Sequence, residues 1–321
     1  MKKSDPTAEA LNVLAGAHDQ PPEARRALLR KHLANRSNWV VAKAAKIAGE
    51  VRDEELAPDL VAAFHRLMAD PPKLDKGCTA LTEIAASLYA LDHYDSDVLL
   101  AGIRLVQMEG SFGPPADAAI QLRAHCAMGL AQTHHPDAQY ELVKLLADPE
   151  PGARAGAARA IGTLSSEAAA LLLRFKALIG DRESDVLAEC FAGLLAVDAE
   201  RSLEFVAGFA DEGDEEVAEA AILAIGESRT PQGVTWLKER WERTVQGPIR
   251  KTLLLALATA RIEPAIEFLV KLLNEENPRS AVEVMNVLRI YKHDERVRRA
   301  VGEIVDRRRD ASIVQAFREA F

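Results

Sequence analysis

The sequence predicts an all-α fold, an α-solenoid (superhelix) of about eight to nine stacked helical hairpins, and three observations predict it. First, apolar or small residues recur at i, i+3, i+4, i+7 and i+8, as in Leu187, Cys190, Phe191, Leu194 and Leu195. That spacing puts them on one face of an α-helix. Second, the same template recurs about eight times, starting at Val40, Leu81, Leu122, Ala153, Leu187, Val217, Ile249 and Ala281. One amphipathic helix of this length is marginal in water, so such a series is stable only when neighbours share a buried face. Third, the chain is 48% hydrophobic but only 5% aromatic, with Ala and Leu prominent, which favours helix over sheet. Its 321 residues are also long for one globular core, a limit that stacked repeats escape.

In chain order, residues 5–34 read as one helix pair ahead of the first full template at Val40. The next two intervals are about 41 residues, and the later ones about 30–34. Two inserted segments rich in helix breakers account for the longer intervals: Asp70-Pro71-Pro72-Lys73-Leu74-Asp75 and Gly110-Ser111-Phe112-Gly113-Pro114-Pro115. Extended loops are therefore expected at 70–76 and 109–117, and His93-Tyr94-Asp95 reads as an inter-helix turn.

Further along, Pro231, Pro248, Pro264 and Pro278 fall about 14–17 residues apart, half a repeat. Proline suits the first helical turn, and Thr230 and Asn277 precede two of these prolines as N-caps. Each repeat is then an A helix carrying the template and a B helix such as 168–179 or 233–245. Lys43 and Arg289 break the template in the first and last A helices, where solvent on one side tolerates polar residues. Residues 294–320 read as the closing pair. The expectation is one solenoid over 1–321, with irregular repeats over 1–117 and regular repeats plus a C-terminal cap over 118–321.

The net charge is −9, which disfavours nucleic acid and anionic membrane as partners of the whole surface. Charge is uneven: residues 1–52 carry about +5, residues 286–321 about +3, and the middle is strongly acidic. Arg25, Arg26, Arg30 and Lys31 near one end and Arg307, Arg308 and Arg309 near the other invite a nucleic-acid reading, which the acidic centre opposes. Cys78, Cys126 and Cys190 lie far apart with no CxxC pair, so they read as buried free thiols. The start, Met1-Lys2-Lys3-Ser4-Asp5-Pro6, and the short apolar run from Leu11 to Ala17 do not form a secretory signal, and no uncharged stretch reaches a membrane span. A cytoplasmic location is the default expectation.

Residues 148–164 (DPEPGARAGAARAIGTL) and 214–228 (DEEVAEAAILAIGES), and more loosely 38–51 (NWVVAKAAKIAGEV), carry a family resemblance. An acidic or Pro-rich turn, Ala-rich packing and a small residue ending the A helix (Gly49, Gly162, Gly226) resemble the HEAT-repeat superfamily, in its short phycocyanobilin-lyase-type repeats. The resemblance implies a right-handed stack with A helices outside and B helices lining the concave side. It implies no single activity, because such repeats occur in scaffolds, lyases, hydroxylases and DNA glycosylases.

The densest surface signal is acidic: residues 181–227 carry 14 Asp and Glu against two Arg. Asp214 reads as an N-cap with Glu215 and Glu216 in the first turn, which explains only part of that charge. A partner-binding surface is therefore expected at Asp211, Glu212, Asp214, Glu215, Glu216 and Glu219, taking a basic region of another protein. Trp236, Arg240 and Arg243 are added to it, because an exposed Trp beside Arg makes a binding hot spot. Trp241 falls on the core stripe with Val234, Leu237 and Val245, and Trp39 is expected to staple the preceding helix pair.

Calcium is not indicated, since the carboxylates lack the D-x-[DN]-x-[DN]-G ligand order. His134-His135-Pro136-Asp137 reads as a loop and His125 as a packed, hydrogen-bonded core histidine. No histidine is followed by Glu, so the iron site of the HEAT-like hydroxylases is not implied. No catalytic, metal or cofactor-binding residue is assigned. The preferred function is a non-catalytic scaffold or adaptor, binding protein along its B-helix surface as a monomer or with weak self-association. A bilin lyase-like or DNA glycosylase-like enzyme of the same repeat class is the alternative.

Overall fold

The computed structural model describes residues 5–110, 113–211, 214–245 and 247–321. The described chain is almost wholly helical, and it divides into two compact units, Met1–Leu164 and Ser165–Phe321.

The first unit runs α1 (Pro6–Ala15), α2 (Pro22–Leu33), α3 (Asn38–Glu50), α4 (Ala57–Met68), α5 (Pro71–Leu74), α6 (Thr79–Ala90) and α7 (Ser96–Ile103). A two-residue pair of strands, β1 (Met108–Glu109) and β2 (Ala116–Asp117), precedes α8 (Ile120–Ala131), α9 (Ala138–Leu146) and α10 (Pro151–Gly162). The A helices α1, α3, α6, α8 and α10 pack in series, and α2, α4, α7 and α9 pack beside them. This is the stack of shared apolar faces that the template predicts: Val40, Leu81, Leu122 and Ala153, one per repeat, are each fully buried.

The second unit begins with α11 (Glu167–Ile179), followed by α12 (Ser184–Val197), α13 (Ala199–Phe209), α14 (Glu215–Glu227) and α15 (Pro231–Arg243). It closes with α16 (Pro248–Ala260), α17 (Glu263–Glu275), α18 (Pro278–Leu288), α19 (Glu295–Arg308) and α20 (Ala311–Ala320). Here α12, α14, α16, α18 and α20 form the A series. Three of the four prolines open helices and Pro264 sits one residue later, in the first turn of α17. Thr230 accepts from the Gly233 N–H, and Asn277 from the Arg279 and Ser280 N–H groups, so both caps form as expected.

Small residues set the spacing between A helices. At Gly226 an added Cβ would lie 2.3 Å from the Ala256 carbonyl oxygen, so α14 and α16 touch backbone to side-chain-free backbone. The turns after α3, α6, α14 and α16 share another device, a left-handed residue: Arg52, Asp92, Arg229 and Arg261, with φ of 51–54°. Glycine ordinarily takes this position without steric cost.

The first inserted segment is not an extended loop, whereas the second is a loop closed by a short strand pair. Asp70-Pro71-Pro72 starts the short helix α5, and the second insertion is flanked by the antiparallel pair Met108↔Asp117 and Glu109↔Ala116. Ser111 and Phe112, between those strands, lie outside the described residues. Buried polar groups fasten one insertion to the other. Asp75 caps α6, accepting from the Ala80 and Leu81 N–H groups at 3.0 and 2.7 Å and from Asn38 Nδ2 at 3.0 Å. Gln107 Nε2 donates to the Asp75 carbonyl at 3.0 Å, and the Gly77 N–H donates to Glu109 Oε1 at 2.7 Å. Pro and Gly run together mark a break in the helix, but they do not show such pairing partners.

One buried group in the first unit had no forecast. Arg123, 1% exposed on α8, donates from Nη1 to Asp117 Oδ2 at 2.5 Å and to the Leu105 carbonyl at 2.8 Å, and from Nη2 to Asp148 Oδ1 at 3.2 Å. Asp117 Oδ1 also accepts from the Gln107 and Ala119 N–H groups at 3.0 and 2.9 Å. Burial pushes the Asp117 pKa up, but these two N–H donors and Arg123 outweigh it and hold it below its ordinary value. His125, expected in the core, is only half-buried.

Candidate functional site

The predicted partner-binding residues fall on the second unit, and each except Glu212 can be placed. Glu212 lies outside the described residues. Asp214 caps α14, accepting from the Glu216 and Val217 N–H groups at 3.0 and 3.2 Å. Glu215 and Glu216 follow in the first turn, where the positive end of the helix dipole favours them. Ser184, the first residue of α12, donates from Oγ to Glu216 Oε2 at 3.1 Å. That bond ties the start of α12 to the start of α14. The exposed carboxylates Glu183 and Asp185 on one and Glu215 and Glu216 on the other thus share one edge.

The remaining predicted residues are held by neighbours. Glu219 accepts from Thr252 Oγ1 on α16 at 3.0 Å. Arg240 forms an ion pair with Asp211 and donates to the Ala210 carbonyl at 3.2 Å, linking α15 to the end of α13. Arg243 lies 3.7 Å from Glu239, one turn away on its own helix. Trp236 is half-buried beside them. Trp241 is buried as the core stripe requires, with the Arg250 guanidinium 3.6 Å from its ring centre. Val245 departs from that stripe: α15 ends at Arg243, and Val245 is exposed.

Trp39 is a correction. It is 60% exposed at the start of α3 rather than covered, and it lines a groove with Thr7 and Leu11 of α1. The cysteines match expectation, for all three are buried and free. Burial pushes the Cys78 and Cys190 thiols up to about 12 and Cys126 higher still, so none is poised as a nucleophile. His134 and His135 sit in the turn before α9, where His135 Nδ1 accepts from the Asp137 N–H at 3.2 Å. Among the described residues no group of three or more His, Cys, Asp and Glu could hold a metal ion, and no helix is long and apolar enough to cross a membrane.

Four exposed large apolar side chains lie on α11, which the sequence marks as an ordinary B helix. Leu171, Phe175, Leu178 and Ile179 are each 61–66% exposed, and their spacing puts them on one stripe. The opposite face, with Ala169, Leu173 and Ala177, is the one packed inward. Beside Leu171 a cleft of about 390 Å³ opens between α11 and α13, floored by Ala170, Leu194 and Val197 and rimmed by Arg174, Arg201, Glu167 and Asp198. Arg174 is held in place: its Nη2 donates to the Arg201 carbonyl at 3.1 Å and its guanidinium lies 4.2 Å from the Phe205 ring centre. The signal was present in the sequence, because Leu171, Leu172, Leu173, Phe175, Leu178 and Ile179 make this helix apolar nearly all round. A helix of that kind needs cover on more than one side.

The stacked hairpins, the small residues between A helices and the acidic helix starts fit one repeat class, and residues 116–175 match the family model of HEAT repeats. That match spans 60 of the 321 residues. No curated protein matches it. Among solved structures, it is similar to a chain in the complex of CpcE and CpcF of phycocyanin lyase from Nostoc sp. PCC7120, over 87% of this chain and 94% of that one. The identity is 16% and the TM-score 0.41, a level that carries no inference about activity. HEAT repeats supply a stack of hairpins with long exposed faces; what such a face does is decided by its side chains.

Proposed function

We propose that this chain is a non-catalytic protein-binding scaffold of the HEAT-repeat kind, whose second unit attracts a basic region of its partner. The observation that carries this reading is the edge shared by α12 and α14. Glu183, Asp185 and Glu215 are exposed there without an ion-pair partner among the described residues, and Glu216 is tied to Ser184 alone. Like charges held together oppose folding modestly, and a cationic partner relieves that repulsion. Charge of one sign on an edge speeds encounter with a partner of the opposite sign and makes the association salt-sensitive.

The test is affinity capture from the native cell with the wild-type chain and with the charge-reversed variant Glu183→Lys/Asp185→Lys/Glu215→Lys/Glu216→Lys. The expected result is a partner held by the wild type at about 50 mM salt, released near 300 mM, and absent from the variant. A partner retained equally by the variant, or insensitive to salt, would refute the acidic edge as its site.

A further inference from the structure

Resting on that scaffold reading, the geometry points to the form of the partner as well as its charge: we infer that the α11 stripe receives a basic amphipathic helix of another protein. Large apolar side chains at Leu171, Phe175, Leu178 and Ile179 stand more than three-fifths exposed along about 12 Å of helix. Isolated exposed apolar residues are ordinary, but a contiguous row along one helix marks an interaction surface. The row forms a ridge at i, i+4 and i+7, the surface that a second helix meets by ridge-into-groove packing. Adding a strand is no alternative here, because among the described residues this unit contains no sheet edge.

The cleft beside Leu171 gives the docked helix an anchor point. Its apolar floor, inside a rim where Arg174 and Arg201 are offset by Glu167 and Asp198, accepts one bulky apolar side chain. At the other end of α11 stands the acidic edge, with one exposed cation, Arg182, beside it. Gly180 ends the helix with φ of 77°, and Lys176 bonds Asp181 at 2.7 Å in a buried ion pair that fastens the turn. The exposed Glu183 and Asp185 come four and six residues after Ile179, within about 14–21 Å by chain length. Glu216 is brought to the same end by its bond from Ser184. An apolar stripe that terminates in unpaired carboxylates is complementary to a helix with an apolar face and Lys or Arg at one end. It disfavours an acidic helix of the same shape.

The test uses the full chain and three fluorescein-labelled 18-residue peptides. One is built of Leu and Lys with Leu at helical i, i+3, i+4 and i+7 spacing. The second has the same composition in scrambled order, and the third carries Glu in place of Lys. Fluorescence anisotropy is expected to show the Leu/Lys helix binding at least tenfold more tightly than either control. Phe175→Ser/Ile179→Ser should weaken it at least tenfold with an unchanged circular dichroism spectrum. Leu171→Ser, at the opposite end of the stripe, gives an independent second variant. Glu183→Lys/Asp185→Lys should weaken it tenfold in low salt and much less in high salt.

Equal binding of the three peptides, or wild-type affinity in both stripe variants, would overturn the inference. So would a wild-type dimer, seen by light scattering, that Phe175→Ser/Ile179→Ser converts to monomer, since the stripe would then join two copies. The two readings fail separately. A natural partner lost on reversing the acidic edge but kept by the stripe variants sinks only the helix-docking inference. One lost from the stripe variants but kept after charge reversal sinks the acidic-edge reading instead.

Discussion

Replacing Arg123 with Met removes the centre of a buried charge cluster and leaves Asp117 without its cation. The side chains of Arg123 and Asp117 are both 2% exposed, so water cannot take over the lost interaction. With charges about 4 Å apart and an effective dielectric of about 20, the attraction is worth about 4 kcal/mol. Breaking one partner of a buried pair costs about 3–5 kcal/mol in practice. For a unit of this size each kcal/mol shifts Tm by about 2–4 °C, so Arg123→Met should lower it by about 6–20 °C. The assay is thermal unfolding followed by circular dichroism at neutral pH. Arg30→Met serves as the exposed control, since Arg30 pairs with Asp59 at 2.8 Å but is half in solvent, and its loss should cost no more than about 1 kcal/mol.

The double variant Arg123→Met/Asp117→Asn sharpens the argument. Both backbone donors to Asp117, from Gln107 and Ala119, reach the same oxygen, Oδ1, which an Asn amide supplies as well. The second substitution should therefore recover part of the loss rather than add to it. A single-variant Tm within about 2 °C of wild type, or strict additivity in the double variant, would refute the reasoning.

The remaining predictions concern pH, packing, turns and accessibility. Because the Asp117 pKa is lowered in the folded chain, its stabilisation is present above the ordinary carboxylate pKa and fades as pH falls through the folded value; Arg123→Met should flatten that acid limb of a stability–pH curve. Gly226→Ala should destabilise by about 1–3 kcal/mol, since its Cβ meets the Ala256 backbone, whereas Gly208→Ala, with nothing within 4 Å, should be neutral or slightly stabilising in the same melts. Arg229→Gly should raise stability by about 0.5–1 kcal/mol in denaturant unfolding by relieving a left-handed backbone. Thiol titration with an aromatic disulfide should find Cys78, Cys126 and Cys190 slow to react in native buffer and all reactive in denaturant. Iodide should quench mainly Trp39, and Trp39→Phe should remove most of the quenchable emission.

The repeat was legible because its signal is summed over many turns. Each burial at Val40, Leu81, Leu122 or Leu187 follows from spacing alone, and so do the proline-opened helices of the second unit. What stayed hidden depends on residues distant in sequence. Arg123 reads as one polar residue in an apolar helix until Asp117 and Asp148 are seen on either side of it. How the insertions are fastened shows only when Asp75, Gln107 and Glu109 are seen bonded across about 30 residues. Among the candidate site residues, local chemistry was readable, as in the Asp214 cap, whereas pairing was not. Arg240 finds Asp211 from 29 residues away, and the exposed row on α11 emerges only once the packing of every other face is known.

The left-handed turn residues bear on how such a chain changes length over generations. Arg229 and Arg261, about 32 residues apart, close successive A helices with the same backbone conformation, though neither is the glycine that chemistry would favour. A stretch of gene running from one such codon to the next can be lost or doubled with both new seams already shaped to fit.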